Sequence, residues 1–157
     1  MNWIEIFWNC DYKGATFPQV LFKNPDWFFF MIEEGKFKDK GSITQEAEDL
    51  DWKARHIIIP GNEQNDLEAE YTLDPSSHSF ASLEIVPRDR EVHSRSERMD
   101  VIDLSFPRKF KQYDKLGNKL LLKQLIFIYF RRSNYRMTRD RCEAFFENEG
   151  HFKPRRT

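Results

Sequence analysis

"DYKGATFPQVLFKNPDWFFFMIEEGKF", Asp11 to Phe37, decides whether the chain begins with a helical core or an exposed aromatic platform. Its punctuation is helical. Thr16 followed by Gln19, with Pro18 in the first turn, is a helix-start signal, and the helix it opens runs to about Phe22. Asn24 as N-cap and Pro25 at the first helical position start a second helix, which Gly35 ends. Within it Trp27, Phe30 and Met31 share one face and Phe28 and Ile32 a neighbouring one, the spacing of a buried helix. A base-stacking platform needs aromatics interleaved with Arg or Lys. This stretch has acidic neighbours instead, so it reads as aromatic core.

Working outward, residues 1–8 alternate loosely and predict a short strand. Ser42 with Gln45 predicts a capping box for a third helix ending near Arg55. "LEAEYTL" and "FASLEIV", residues 67–73 and 80–86, alternate about the turn "DPSSHS" and predict an antiparallel hairpin. "PRDREVHSRSERMD", residues 87–100, reads as a charged mobile loop, and "VIDLSF" as a further strand stopped by Pro107. "NKLLLKQLIFIYFRR", residues 118–132, predicts a long helix apolar almost all round, with Lys119 and Lys123 on one polar stripe. Thr138 caps a closing helix ended by Gly150, and "HFKPRRT" reads as a tail. The expected class is α+β: N-terminal helices, a small central antiparallel sheet and two C-terminal helices. Residues 1–40 form a helical module, packed as one unit with the α+β region 41–157.

At 157 residues, 39% hydrophobic and 32% charged, the chain can bury one core beneath a very polar surface. The net charge of −1 conceals a polarity. Residues 1–50 carry −4 and 51–100 carry −5, whereas 101–157 hold fourteen Lys/Arg against six Asp/Glu, a net of +8. Such a chain can meet an anionic partner through its last third, or pair one half with the other. Two cysteines, with no C-x-x-C and no His at zinc-ligand spacing, argue against a disulfide scaffold or structural zinc. "MNWIEIFWNC" lacks the charged n-region and long apolar run of a signal peptide, and "LIFIYF" is too short to span a bilayer. The expectation is a cytoplasmic protein with no membrane partner and no cofactor.

An aromatic residue followed by Tyr12-Lys13-Gly14, a short helix, Asn24-Pro25-Asp26-Trp27-Phe28 and then Glu34-Gly35-Lys36-Phe37 resembles the small C-terminal module of exodeoxyribonuclease X-like proteins. A family of quorum-sensing-regulated virulence factors carries a related module. Its pattern is F-G-K-Y-K-G and then an aromatic-rich "DPDYLLW" helix. The resemblance covers residues 6–38, and Cys10 and Asp11 stand where Gly-Lys is usual. It implies a nucleic-acid-processing context; the module accompanies nucleases without being their catalytic core.

No catalytic constellation emerges. Pro25-Asp26 with Glu34-Gly35-Lys36 spells the letters of a metal-dependent nuclease, but at opposite ends of a capped helix, roughly 12 Å apart. Arg88 and His93 match an R-x4-H spacing, and His78 and His93 form an acid–base pair only if two loops meet. Asp100 and Asp103 face opposite sides of a strand. Neither a nucleophile elbow nor a Gly-rich phosphate loop is present. A metal-dependent nuclease is the third reading, with no catalytic or metal residue assigned.

The basic last third is the strongest clue. Arg108, Lys109 and Lys111 precede the long helix, and Arg131, Arg132, Arg136, Arg139 and Arg141, with Tyr135 among them, cluster where it joins the last one. Such residues bind backbone phosphate and stack a base, and Arg139 near the start of a second helix resembles a helix-turn-helix arrangement. The bland alternative is a solvated helix pair that neutralises the acidic part. The leading reading is a non-catalytic nucleic-acid-associated accessory protein, of phage or mobile-element type. The second is a protein-binding module or inhibitor that docks the acidic surface of residues 46–103 on a basic partner such as a nucleic-acid-binding enzyme.

Overall fold

Helix α1, Phe17–Leu21, and helix α2, Pro25–Glu33, form where their start signals fall. The Thr16 amide donates to Gln19 Oε1, and Asn24 accepts from the Trp27 amide. Gly35, at φ +70, ends α2: its amide donates to the Ile32 carbonyl and that of Lys36 to Met31, a Schellman closure that needs the left-handed residue. The computed structural model describes residues 2–132 and 134–155. Where a strand over residues 1–8 is expected, residues 2–8 form one isolated bridge, Glu5 to Thr16, because the chain doubles back through Gly14.

Helix α3 spans Ser42–Arg55, but Gly41 caps it. The Ser42 capping box does not form because Ser42 is already the first helical residue; the Gln45 amide donates to the Gly41 carbonyl. The Thr44 hydroxyl pins the preceding turn, donating to the Phe37 carbonyl and accepting from the Lys40 amide. Strand β1, Ile57–Ile58, follows, and the hairpin of β2, Leu67–Leu73, with β3, Phe80–Pro87, forms in the expected place.

The charged loop expected over 87–100 contains a strand. β4, Ser96–Met99, pairs antiparallel with β2, so β2 is central in the order β3-β2-β4. Arg98 lies opposite Glu70 in register, and their side chains, 6% and 3% exposed, meet at 3.1 Å. β5, Val101–Ile102, leaves this sheet and pairs with β1. The buried Tyr71 hydroxyl joins the two sheets, donating to the Val101 carbonyl and accepting from the Asp103 amide at 2.8 Å each.

Helix α4, Lys115–Phe130, begins earlier than expected because Asp114 caps it, accepting from the Gly117 amide at 2.8 Å. Helix α5, Arg139–Glu147, starts at its Thr138 cap. The stretch after it is no tail: Phe152 is 4% exposed, bridges Ile57, and is followed by Lys153, whose amide donates to the His56 carbonyl. Residues 156 and 157 of that stretch, and Ser133 between the last two helices, lie outside the described residues.

One buried cluster takes in Phe17, Phe28 and Phe37 with Tyr71, Phe106 and Phe146, so residues 1–40 share a core with the rest. The class is α+β, with helices at both ends of the chain. Three ties fix α4. Leu121, Leu122 and Leu125 are buried, Gln124 Oε1 accepts from the Leu83 amide on the outer edge of β3, and the Tyr129 hydroxyl donates to the Ile58 carbonyl. Among the described residues no helix is long and apolar enough to cross a membrane.

Candidate nucleic-acid interface

The packing of α4 determines which of its residues face water. Lys115, Lys119 and Lys123 recur every four residues, so they form one row on the exposed side. Like charges at that spacing repel, and Lys115 stands at the positive end of the helix dipole, so the row opposes helix stability. No carboxylate offsets it: among the described residues none of the three takes part in an ion pair.

These lysines line a cleft of about 650 Å³. Its other wall is the α1–α2 junction and the turn before α1, which supply Lys23, Asn24 and Tyr12; Tyr113 stands at the start of α4. Two aromatic–polar contacts fix Tyr12. Its ring packs on Trp27 at 4.9 Å, and its hydroxyl accepts from Asn24 Nδ2 at 2.7 Å. Asn24 therefore caps α2 through its oxygen while holding Tyr12 through its nitrogen.

The cleft continues at both ends. Tyr12, Phe22, Lys23 and Ile126 also line a second hollow of about 550 Å³, reached by Lys13, Asp11, Met137 and Cys142. Asn24 and Tyr113 also line a third of about 320 Å³, with Trp27, Phe30 and Arg108. The result is a furrow bordered by five lysines and several aromatic rings, with Asp11 its one exposed carboxylate. It offers point charges and ring faces. Cys142, in the second hollow, is no ready nucleophile: burial, with Glu143 beside it, pushes its thiol up to about 12.

Several of the predicted basic residues are engaged by the protein itself. Arg108 is 12% exposed and bound inward, to Asp26 at 2.5 Å and to Glu33. Burial lifts the Asp26 carboxyl above its usual range, against the pull of the Arg108 guanidinium. Lys109 pairs with Glu97 and lies over Phe106. Arg139 ties Glu5 of the N-terminal segment to Glu143 of its own helix. Tyr135 stacks on Phe130 at 4.5 Å, with the Arg141 guanidinium 4.3 Å from its ring. Arg131 caps α4 and lines a separate hollow against β3. Lys111, Arg132 and Arg136 are exposed and form no ion pair among the described residues.

The sequence places Lys119 and Lys123 on one polar stripe but assigns neither to binding, although K-x3-K-x3-K across 115–123 was visible; Lys23 and Tyr12 join the row only through the fold. The nuclease letters are separated, Asp26 being buried against Arg108 and Glu34 exposed at the end of α2. Arg88 is held by Glu68 and Asn65, and Asp103 by Ser105. Among the described residues no group of three or more His, Cys, Asp or Glu could hold a metal ion. No family model, curated protein or solved structure matches the chain.

Proposed function

We propose that the chain is a non-catalytic nucleic-acid-binding accessory protein that holds backbone phosphate along the lysine furrow. One observation carries this reading: Lys115, Lys119, Lys123 and Lys23, in no ion pair among the described residues, surround a cleft that also presents Tyr12 and Tyr113. Lysine point charges suit successive phosphates, and aromatic rings suit bases of any identity. The resemblance of residues 6–38 to the exodeoxyribonuclease X-like module agrees, since Tyr12, Lys13 and Asn24 of that stretch border the furrow. This reading puts the interface on α4 and the turn facing it rather than on the basic residues of 108–111 and 131–141.

Docking of an acidic surface on a basic partner is less well supported. Within 46–103, Asp49, Asp51, Glu68, Glu70, Glu84 and Glu97 already pair with the chain's own Lys or Arg.

Fluorescence anisotropy with labelled single-stranded DNA, duplex DNA and RNA tests the proposal. Binding lost on Lys115→Ala/Lys119→Ala/Lys123→Ala, and kept on Arg131→Ala/Arg132→Ala/Arg136→Ala, is the expected result. No binding to any probe at low salt contradicts it.

A further inference from the structure

Asn118 lies on α4 between Lys115 and Lys119, and it lines the main cleft. It is 4% exposed, yet among the described residues neither its side-chain nitrogen nor its oxygen has a hydrogen-bond partner. A buried amide with both groups idle is costly, and an apolar residue would serve the packing of α4 better. The cap of the helix does not need it, because Asp114 supplies that bond. An idle donor and acceptor at the base of a lysine-lined cleft are the complement of a ligand that presents one of each.

We infer that the cleft admits an unpaired base and that Asn118 reads its edge; this rests on the nucleic-acid reading above. A carboxamide makes two parallel bonds to adenine, its oxygen accepting from the amino group and its nitrogen donating to a ring nitrogen. Tyr12 and Tyr113, at the wall and mouth of the same cleft, supply ring faces for stacking. Lys115, one turn before Asn118, is placed for the adjoining phosphate. A base stacked inside a duplex cannot enter the cleft to reach a side chain buried this deeply, so the partner is a single strand, with adenine favoured where Asn118 reads. The lysines set how tightly any strand binds, and Asn118 sets which base is preferred.

The test compares oligo(dA), oligo(dC), oligo(dT) of equal length and the dA·dT duplex, titrated into the full chain and into Asn118→Leu and Asn118→Asp. Circular dichroism melts establish that each variant is folded. The expected result is oligo(dA) bound about tenfold more tightly than oligo(dT), the scale of one two-point amide–base contact, and more tightly than the duplex. In Asn118→Leu that ratio falls to within about twofold, with the salt dependence unchanged. Equal binding of all single strands by the full chain overturns the inference and leaves the phosphate reading standing. A preference undiminished in folded Asn118→Leu, or in folded Asn118→Asp, whose carboxylate accepts from an amino group but cannot donate to the ring nitrogen, also overturns it, and marks Asn118 as a residue satisfied by buried water alone. Failure of every probe to bind overturns both.

Discussion

Arg108 holds Asp26, itself 2% exposed, and Glu33. Removing one partner of a buried pair leaves an uncompensated charge, which matters more than the bond lost. Arg108→Met is therefore expected to lower stability by about 3 kcal/mol, and Asp26→Leu in the same chain to recover most of it; urea unfolding of the unsubstituted chain and the two variants checks this. Glu46 is the second residue with a definite consequence. Burial, with Asp49 and Glu143 nearby, raises its pKa from 4.5 to about 6 despite the bond from the Ile4 amide, and its Oε1 is buried without a partner among the described residues. The folded state thus binds this proton more tightly than the unfolded state does. Its contribution to stability is complete below about pH 4.5 and is lost as pH rises through about 6. Glu46→Gln should abolish that loss and stabilise the protein by about 1–2 kcal/mol at neutral pH, with the two chains converging near pH 4. Unfolding free energies measured from pH 4 to 8 check the crossover.

Elements with local chemical signals were legible, and those made by distant partners were not. The caps of α2 could be read because Asn24, Pro25 and Gly35 each act within one turn of chain. Gly35→Ala places a side chain at φ +70 and is expected to cost about 1 kcal/mol. Asn24→Ala should cost about the same through the cap and also release Tyr12. Melting temperatures check both. β4 was illegible because Ser96-Glu97-Arg98-Met99 has no apolar alternation; all four residues are half-buried. What makes it a strand is the buried pairing of Arg98 with Glu70 and Glu68, far away in sequence. Arg98→Ala is therefore expected to free the amides of 96–99 to hydrogen exchange and to destabilise by about 3 kcal/mol. Retained protection at those amides would show that backbone pairing alone suffices. Phe152 was misread as tail for a related reason, since its pocket is built by β1 and α5.

At the scale of the whole molecule, the charge polarity seen in the sequence is real, but the fold redistributes it. Part of the basic last third turns inward or ties segments together, as Arg108, Lys109 and Arg139 do. Part, along α4, forms no ion pair among the described residues; there the N-terminal aromatic segment supplies the opposite wall and adds Lys23 and Lys13. The half of the furrow carried by α4 was visible as a lysine spacing, whereas the facing half depends on how α1 and α2 pack, which no local pattern encodes. The most direct test is the salt dependence of single-strand binding, as log K against log salt concentration, for the full chain and for Lys115→Ala/Lys119→Ala/Lys123→Ala. If the three lysines each contact a phosphate, the slope becomes shallower by about 2, at about 0.7 per contact. An unchanged slope would contradict the account and place the phosphates elsewhere on the molecule.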